Sequence, residues 1–559
     1  GFFMKLNIPV GVSDFEELRK RDYYYVDKTG LIFDLLKNSA AKVTLLTRPR
    51  RFGKTLAMSM LESFLDIRRN SRELFDGLQI MNRTEICEKW MNQYPVLFLS
   101  LKDVEGTSFE NAFGLLKFVI SQICITHSYL KKSDRVSNAY KEIFIRLEDQ
   151  TASFTDIQSS LLVLTKMMQE YYKKPVILLM DEYDVPVAAA SSYGYYDKML
   201  EVIRVIMSSA LKDNQALLFA VITGCLKITK ESIFTGTNNF VSDSISSARL
   251  DEYFGFTGND VKRLLESADL EKYGERIQSW YDGYHFGDVD VYCPWDVMNY
   301  VRDLQFDPDA RPVSYWKNTS SNSIIRSFID FAGNSITRKL ETLMEGGYIT
   351  EKIEEDLTYD YLHSSEENLW SVLYLTGYLT KVRESELKAF PRENRTALSI
   401  PNAEIREIFE TTIVNWFDDS VKKWNRQKLF EAVWTSDAAQ LEEEMNRLLR
   451  KTISYHDYRE DFYHAFLAGI FTGAGYMVES NKEHGEGRSD VVVFDPVNSC
   501  AAVFEAKYSR NLNDMKNSCE KALFQINEKM YAKEFEDDYD HIFCYGISFF
   551  KKRCMVGIK

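Results

Sequence analysis

Cysteine pairs, long apolar runs and an N-terminal export signal are all missing from this sequence. Its eight cysteines are scattered and form no C-x-x-C pair, which argues against a disulfide framework and against a zinc site. No run of about 18 apolar residues occurs, so we expect no transmembrane helix and no membrane partner. The first five residues lack the layout of a signal peptide. We therefore expect a cytoplasmic location.

Basic charge is also scarce. The chain has 69 Lys and Arg against 83 Asp and Glu, and its net charge is −14. This balance disfavours a broad nonspecific nucleic-acid surface, so any basic channel must be local. The composition is otherwise that of a folded protein, with 45% apolar residues. A length of 559 residues predicts about three or four domains of roughly 150 residues each.

The most informative segment is an apolar run at residues 43–47, followed by a tight polar loop and Gly-Lys-Thr. In a phosphate-binding loop, backbone N–H groups and a helix N-terminus face the anion, while a lysine reaches the outer phosphates and a hydroxyl ligates magnesium. Gly53, Lys54 and Thr55 fit these positions. The segment therefore predicts an ATP site.

The loop before this glycine is rich in arginine. Arg48 stands where the usual pattern has its first glycine, and arginine does not permit the close backbone approach that glycine allows. Whether the loop supports hydrolysis or only binding is therefore open. Arg50 and Arg51 are candidates to place positive charge near phosphate, with pairing to surface acids as the alternative.

A second apolar run, residues 175–180, ends in Asp181 and Glu182. In a parallel sheet these carboxylates lie at the same edge as the phosphate loop. Asp181 is expected to hold magnesium, and Glu182 to polarise the attacking water. Thr223 ends the next strand, where a residue that senses the γ-phosphate is expected. Each feature alone also fits an ordinary helix start or a solvated strand end, but their order favours a nucleotide site.

The remaining pattern predicts four regions. Apolar runs separated by helices indicate a parallel sheet covered on both faces, which assigns an α/β domain to residues 1–255. Residues 256–400 are mainly helical, and within them residues 369–379 resemble a winged-helix element, in which a glycine turn leads a helix into a strand. An amphipathic helix opens a helical connector at residues 401–454. Residues 455–559 are predicted to form a further α/β domain.

Asp490, Glu505 and Lys507 form a second constellation. Residues two apart in a strand share a face, so Glu505 and Lys507 point the same way, and a neighbouring strand that begins at Asp490 can add a second carboxylate. Two carboxylates hold magnesium or manganese, and an adjacent lysine stabilises charge on a phosphoryl group. A solvated strand face gives the same pattern, but the apolar neighbours favour a metal-dependent phosphodiesterase site.

Accessory residues of this site are less well specified. Glu460 on a preceding helix could add a carboxylate, although a surface acid is the simpler interpretation. Gln525 on the following helix could contact the same site. His464 is interpreted as a structural or surface histidine. A glycine-rich bend at residues 485–488 would leave room for substrate.

The sequence resembles the bacterial AAA-ATPase-like proteins that have a C-terminal nuclease domain of the PD-(D/E)xK superfamily. The resemblance spans nearly the whole chain. It rests on these motifs: I-P-V-G at 8–11, Y-V-D-K-T at 25–29, T-R-P-R-R-F-G-K-T at 47–55, D-E-Y-D at 181–184, T-G at 223–224, W-Y-D-G-Y at 280–284, Y-W at 315–316, T-S at 319–320, I-P-N at 400–402, F-Y-H at 462–464, G-R-S-D at 487–490 and F-E-A-K at 504–507.

The resemblance implies a P-loop domain with the sheet order of the additional-strand ATPases, a helical and winged-helix middle region, and a restriction-endonuclease-like α/β core. In that core Asp490, Glu505 and Lys507 match the signature positions, and Gln525 resembles the glutamine of RecB-like nucleases. Those enzymes often have a tyrosine four residues later. Here Lys529 occupies that position and Tyr531 is displaced, so that role is not assigned.

Two functions follow as hypotheses. The first is an ATP-dependent, metal-dependent nuclease that acts on DNA or RNA, in which ATP binding gates the C-terminal site. The second is a nucleotide-switch signalling or scaffold protein whose nuclease fold only binds. The arginine at position 48 and the acidic charge favour the second hypothesis. A homo-oligomer is left open.

Overall fold

The computed structural model describes residues 5–37, 41–228, 233–234, 236–237, 239–316, 323–330, 333–355, 357, 365–454, 460–482, 489–528, 533 and 535–559. The chain divides into two compact units, Gly1–Ser321 with Thr350–Ile405 and Asn322–Ile349 with Arg406–Lys559. The glycine-rich bend at 485–488, the T-S motif at 319–320, Lys529 and Tyr531 lie outside the described residues. The division into four regions stays a prediction.

A parallel sheet of five strands forms the centre of the first unit. Its strands are β1 (Val43–Thr47), β2 (Val96–Ser100), β3 (Val176–Asp181), β4 (Leu217–Gly224) and β5 (Phe240–Asp243). Their order is β2-β3-β4-β1-β5, and every neighbouring pair is parallel. One strand, β4, therefore separates the strand before the phosphate loop from the acidic strand. The predicted parallel sheet and its additional-strand order are confirmed.

Helices cover both faces of this sheet, which is why its central strands are mostly apolar. They are α1 (Phe15–Lys20), α2 (Gly30–Leu36), α3 (Lys54–Leu65), α4 (Thr84–Trp90), α5 (Phe109–Thr126), α6 (Asn138–Glu148), α7 (Phe154–Gln158), α8 (Ser160–Tyr172), α9 (Val185–Tyr193) and α10 (Tyr196–Leu211). By length and composition alone, α5 could cross a membrane, and 33% of it is buried within the protein. A core helix of a soluble protein meets the same criteria. The expectation of no transmembrane helix stays a prediction.

The described residues of the first unit also form two small sheets and four further α-helices. The helices are α11 (Gly258–Ala268), α12 (Gly274–Tyr281), α13 (Pro294–Phe306) and α16 (Glu366–Leu375). The sheets have the orders β6-β8-β7, from β6 (Phe256–Thr257), β7 (Tyr284–Phe286) and β8 (Val289–Tyr292), and β10-β11-β9, from β9 (Ile349–Glu351), β10 (Thr380–Lys381) and β11 (Thr396–Ser399). Between α16 and β10, Gly377 has a φ of +92°. The predicted helix, glycine turn and strand are therefore present.

The second unit contains a five-stranded sheet in the order β12-β13-β14-β15-β16. Its strands are β12 (Met477–Lys482), β13 (Ser489–Asp495), β14 (Cys500–Tyr508), β15 (His541–Phe550) and β16 (Arg553–Ile558). Only β14 and β15 pair in parallel among these strands. The helices are α14 (Ser323–Asp330), α15 (Asn334–Met344), α17 (Ala403–Val421), α18 (Gln427–Trp434), α19 (Ala438–Leu449), α20 (Glu460–Gly469) and α21 (Met515–Glu528).

Alternate side chains of β13 and β14 point to the two faces of this sheet. Val491 and Phe504 pack with residues of α18, α19 and α20 in one apolar core. Val492 and Val503 pack on the other face with Ile526 of α21. Asp490 and Glu505 belong to this second set by their even spacing. The face beneath α21 is therefore the one that presents the carboxylates.

Candidate nucleotide and phosphodiester sites

The candidate phosphate loop, residues 48–53, joins the end of β1 to the start of α3. Gly53 directly precedes the helix with a φ of +89°, a left-handed conformation that glycine adopts without steric cost. Phe52 anchors the loop, because its buried ring contacts the rings of Tyr284 and Phe286 at centroid distances of 4.9 and 5.1 Å. The first N–H groups of a helix have no intrahelical partner and attract anions. The local geometry therefore suits a phosphate.

Arg48 lies inside the protein and not in the mouth of the loop. Its buried guanidinium pairs with Asp243 at the end of β5, with an Nη2–Oδ1 distance of 2.6 Å. It also donates to the backbone carbonyls of Thr47 and Asp243 at 2.8 and 3.0 Å, and it lies over the rings of Phe254 and Phe286. Arg48 thus links β1 to β5 from within, and its side chain does not compete with phosphate for the loop.

Burial shifts the pKa values of the Arg48–Asp243 pair and makes the pair costly to break. Burial lowers the pKa of Arg48 and raises the pKa of Asp243, since the loss of hydration outweighs their attraction. Replacing Arg48 with methionine leaves a buried carboxylate without its cation, which costs about 3–5 kcal/mol. We expect this decrease in the free energy of unfolding, measured by urea denaturation.

The matched control is the double variant Arg48→Met with Asp243→Leu. It replaces both charges with apolar groups of similar volume, and such replacements are often close to neutral. We expect the double variant to recover most of the lost stability. If the single and double variants are equally unstable, the buried pair is not what holds the loop to β5.

Lys54 and Thr55 are the first two residues of α3. The buried Nζ of Lys54 donates to the carbonyl oxygens of Arg48 and Pro49 at 2.7 and 2.9 Å. The hydroxyl of Thr55 donates to Oδ2 of Asp181 at 2.8 Å. The ammonium group therefore lies within the turn of the loop, and the hydroxyl reaches the end of β3.

Asp181 and Thr223 connect the ends of two neighbouring strands. Asp181 is fully buried at the end of β3, and its Oδ1 accepts a hydrogen bond from Oγ1 of Thr223 at 2.5 Å. The same Thr223 oxygen accepts the backbone N–H of Glu182 at 3.1 Å. Because β4 lies between β1 and β3, Thr223 stands between the loop and the acidic strand. The structure thus brings Thr55, Asp181, Glu182 and Thr223 together.

Glu182 follows β3 in a left-handed conformation, with a φ of +53°. Burial raises the pKa of its carboxyl group, and the charge of Lys54 opposes that shift. A carboxylate with a raised pKa is a better acceptor for a proton from water. Its position beside Asp181 and its basicity both suit the role that the sequence suggests.

A cavity of about 390 Å³ opens above the loop. Arg50, Arg51, Lys54, Thr55 and Glu182 line it, so these predicted residues share one space. Apolar and aromatic side chains line it as well, among them Tyr24, Tyr25, Val26, Trp295 and Met298. The volume and the mixed lining are those of a small-molecule site.

In the second unit, Asp490 and Glu505 are directly paired on neighbouring antiparallel strands. Both side chains are fully buried. Lys507 lies two residues beyond Glu505 on β14, and the pairing puts all three side chains on the face beneath α21. The structure therefore brings together the three residues that the sequence proposes.

The donor set fits a hard divalent cation. Magnesium is often held by one or two carboxylates and keeps several waters, and Asp490 and Glu505 supply such a pair. Within the described ranges no group of three His, Cys, Asp or Glu side chains is arranged to hold a metal ion. Metal binding at this face would therefore depend on the two carboxylates.

The three accessory residues lie on two helices, α21 and α20. Gln525 is on α21, and its Oε1 is buried without a hydrogen-bond partner in the described part of the chain. Glu460 is the exposed first residue of α20. His464 is buried and its Nε2 contacts the hydroxyl of Ser480. Burial lowers the pKa of His464, although the charges of Asp490 and Glu460 oppose this.

Two family models match separate regions of the chain. Residues 9–234 match a family model described as predicted AAA-ATPase, and residues 458–558 match the model of the PD-(D/E)XK nuclease superfamily. The chain therefore has two family-model matches, to an AAA-ATPase-like domain and, nearer its C-terminus, to a PD-(D/E)XK nuclease-superfamily domain. The resemblance inferred from the motifs is confirmed.

One relative is similar to this chain along nearly its whole length. An uncharacterized protein in the vnfD 5' region of Azotobacter chroococcum mcd 1 is 25% identical over 569 residues, and the match covers 98% of each chain. Its description names no activity. The similarity therefore extends across the AAA-ATPase-like domain, the nuclease-superfamily domain and the residues between them.

The AAA-ATPase-like domain also contains site residues to which sequence reasoning assigned no role. Oδ2 of Asp184 accepts the backbone N–H groups of Cys225 and Leu226, each at 3.0 Å. The hydroxyl of Tyr183 donates to the carbonyl of Leu226 at 2.6 Å. These bonds hold the chain that follows β4, next to Thr223. Nothing in the sequence pairs residues 183–184 with a loop some 40 positions away.

A buried carboxyl pair lies near the phosphate loop of the same domain. Asp296 and Glu404 are fully buried and hydrogen-bonded to each other. Asp296 is in the first turn of α13, whose preceding Cys293 thiol donates to the carbonyl of Arg51 at 3.5 Å. Burial raises the pKa of Asp296 to about 6 and that of Glu404 well above its ordinary value. The pair therefore retains a proton near neutral pH.

These pKa values predict how stability changes with pH. A carboxyl group with a raised folded-state pKa contributes stability that is complete below its unfolded pKa, near 4, and is lost as the pH rises through the folded value. The free energy of unfolding should therefore fall between about pH 4 and pH 7. Asp296→Asn removes one titrating group. It should stabilise the protein more at pH 7.5 than at pH 5, and the difference between the two stabilisations should be on the order of 2 kcal/mol.

Urea denaturation of both proteins at the two pH values measures this difference. The control is Glu393→Gln, the same carboxyl-to-amide change on an exposed residue, and it should not alter the pH dependence. An Asp296→Asn protein that follows the wild-type pH profile would show that the pair does not titrate in this range.

Proposed function

We propose that this protein binds ATP with magnesium and hydrolyses it in the AAA-ATPase-like domain, and that its C-terminal domain cleaves nucleic acid with the aid of magnesium or manganese. The observation that supports the second activity most directly is the pairing of buried Asp490 with buried Glu505, with Lys507 on the same face. The contact between Thr55 and Asp181 supports the first.

At the nucleotide site each residue has a distinct role in this proposal. The backbone of the loop and Lys54 would bind the phosphates, with Arg50 and Arg51 adding positive charge. Thr55 and Asp181 would hold magnesium, since their oxygens are already in contact. Glu182 would accept a proton from the attacking water, and Thr223 would report the state of the γ-phosphate. Because the side chain of Arg48 points into the core, it does not occupy the mouth of the loop.

At the nuclease site Asp490 and Glu505 would hold the cation. A bound divalent cation polarises the phosphodiester and lowers the pKa of a bound water. Lys507 would stabilise the charge that develops on the phosphate. Gln525 would orient substrate or cation from α21.

The eight cysteines are all free thiols, which supports a cytoplasmic location.

A cleavage assay tests the proposal. Labelled single-stranded and duplex DNA and RNA are incubated with the full chain and magnesium or manganese, with and without ATP, and EDTA serves as the metal-free control. Cleavage should require the divalent cation, and ATP should change its rate. A preparation that hydrolyses ATP but cleaves none of these substrates would contradict the nuclease assignment.

The acidic charge still favours the alternative, a nucleotide switch whose nuclease-like domain only binds. The arginine at position 48 no longer supports it, because that side chain is used inside the fold. The rate of ATP turnover distinguishes the nucleotide switch from the ATP-hydrolysing nuclease. Steady hydrolysis of at least about one ATP per second, an ordinary enzyme rate, would count against a pure switch.

A further inference from the structure

The second unit has a local concentration of positive charge that the proposed function does not use. Residues 422–428, 447–451 and 551–553 contain ten Lys or Arg and no Asp or Glu, in a chain whose net charge is −14. The first two segments precede the region that matches the nuclease superfamily, residues 458–558. Such a concentration is unexpected in an acidic protein and calls for a function.

Direct contacts join the three segments. Nζ of Lys451 lies 5.6 Å from the centre of the Trp424 ring, and Arg447 donates to the carbonyl of Asn425 at 2.7 Å. Nζ of Lys552 donates to the carbonyl of Thr452 at 2.9 Å. The ends of α17 and α19 and the turn between β15 and β16 therefore lie side by side.

Seven basic side chains of these segments are exposed, and we call five of them the basic strip: Lys422, Lys423, Arg450, Lys451 and Lys551. Two neighbouring cations are excluded because acids bind them. Arg447 pairs with Glu444 at 2.9 Å, and Lys552 pairs with Glu341 at 2.5 Å. The side chains of the basic strip are exposed and can therefore bind an external anion.

The basic strip reaches the C-terminal end of β14, the strand that carries Lys507. The hydroxyl of Tyr463 donates to the carbonyl of Lys551 at 2.9 Å, and the Tyr463 ring stacks on Tyr508 with centroids 5.5 Å apart. Tyr508 directly follows Lys507 on β14. A chain of contacts therefore leads from Lys451 to the C-terminal end of the central strand β14, where Tyr508 and Lys507 point to opposite faces of the sheet.

We propose that the basic strip binds the phosphate backbone of a nucleic acid and leads it to the C-terminal end of β14, which carries Lys507. Lysine and arginine side chains bind backbone phosphates by their charge, and such contacts are independent of nucleotide sequence. Trp424, half-buried beneath Lys451, adds an aromatic side chain of the kind found at single-stranded nucleic-acid sites. The inference rests on the proposed nuclease function only for the destination of the strand.

Charge removal tests the basic strip without requiring cleavage. The full-length variant Lys422→Gln, Lys423→Gln, Lys451→Gln is compared with wild type by fluorescence anisotropy, using a labelled 30-base-pair DNA duplex, its single strand and the matching RNA in EDTA. Affinity at 0.1 M salt should fall roughly 10- to 100-fold, and the slope of log K against log salt for the duplex should decrease by about 0.9 for each lost phosphate contact. Arg450→Gln with Lys551→Gln should give a smaller loss of the same kind.

The matched control is Lys132→Gln, Lys262→Gln, Lys272→Gln, which removes the same charge from exposed positions of the first unit and should leave binding unchanged. Unchanged binding by the basic-strip variant, or no binding by wild type, would overturn the inference whether or not the protein cleaves. Loss of binding to phosphatidylglycerol vesicles with nucleic-acid binding intact would assign the basic strip to a membrane and also overturn it. A protein that binds through the basic strip but never cleaves would instead contradict only the proposed nuclease function.

Discussion

Replacing Lys507 with alanine is expected to reduce nucleic-acid cleavage about 100- to 1,000-fold, the usual cost of removing one group that stabilises transition-state charge. Lys507 shares a sheet face with Asp490 and Glu505, and it does not belong to the carboxylate pair that would hold the cation. Manganese binding, measured by calorimetry, should therefore remain. Asp490→Asn should abolish cleavage and weaken manganese binding as well.

The matched control for Lys507 is Lys516→Ala, an exposed lysine in the first turn of α21. Its cleavage rate should be close to that of wild type. If Lys507→Ala cleaves as well as wild type, the assignment of this face as a phosphodiester site is wrong. Circular dichroism of each variant separates a loss of chemistry from a loss of fold.

Replacing Glu182 with glutamine is expected to lower ATP hydrolysis about 100- to 10,000-fold, the range that general-base catalysis contributes. The amide keeps the size of the side chain but cannot accept the proton. ATP affinity should change little, since Glu182 is not assigned to the phosphates. A coupled phosphate-release assay measures turnover, and a fluorescent ATP analogue measures binding.

Two further variants bracket this result. Lys54→Ala should lose ATP binding, because the ammonium group lies within the loop. Glu110→Gln makes the same change on an exposed glutamate at the start of α5 and should leave hydrolysis intact. A Lys54→Ala protein that binds ATP with wild-type affinity would contradict the assignment of the whole loop.

At the nucleotide site, local sequence was sufficient for the loop and the acidic strand end. A glycine, a lysine and a threonine at the start of a helix satisfy phosphate through backbone geometry that is set within a few residues. The role of Arg48 could not be predicted in this way. Its partner Asp243 is 195 positions away, and the sequence pattern marks neither residue as one of a pair.

At the nuclease site, the alternation of β14 put Glu505 and Lys507 on one face, because side chains in a strand alternate. The partner position of Asp490 depended on the register between β13 and β14. A shift of one residue would have turned Asp490 to the opposite face. The pairing of Asp490 with Glu505 is therefore a result of tertiary structure. The basic strip likewise unites three segments that are far apart in the chain.

By itself the sequence determined the strands at 43–47 and 175–180, the phosphate loop, the acidic strand end and the Glu-x-Lys pair, because each depends on interactions among neighbouring residues. Only the tertiary structure decided that Arg48 is a core residue, that β4 separates the loop strand from the acidic strand, and that Asp490 faces Glu505. These depend on which distant segments pack together, and that choice is made by the burial of apolar surface across the whole unit, which no local motif records.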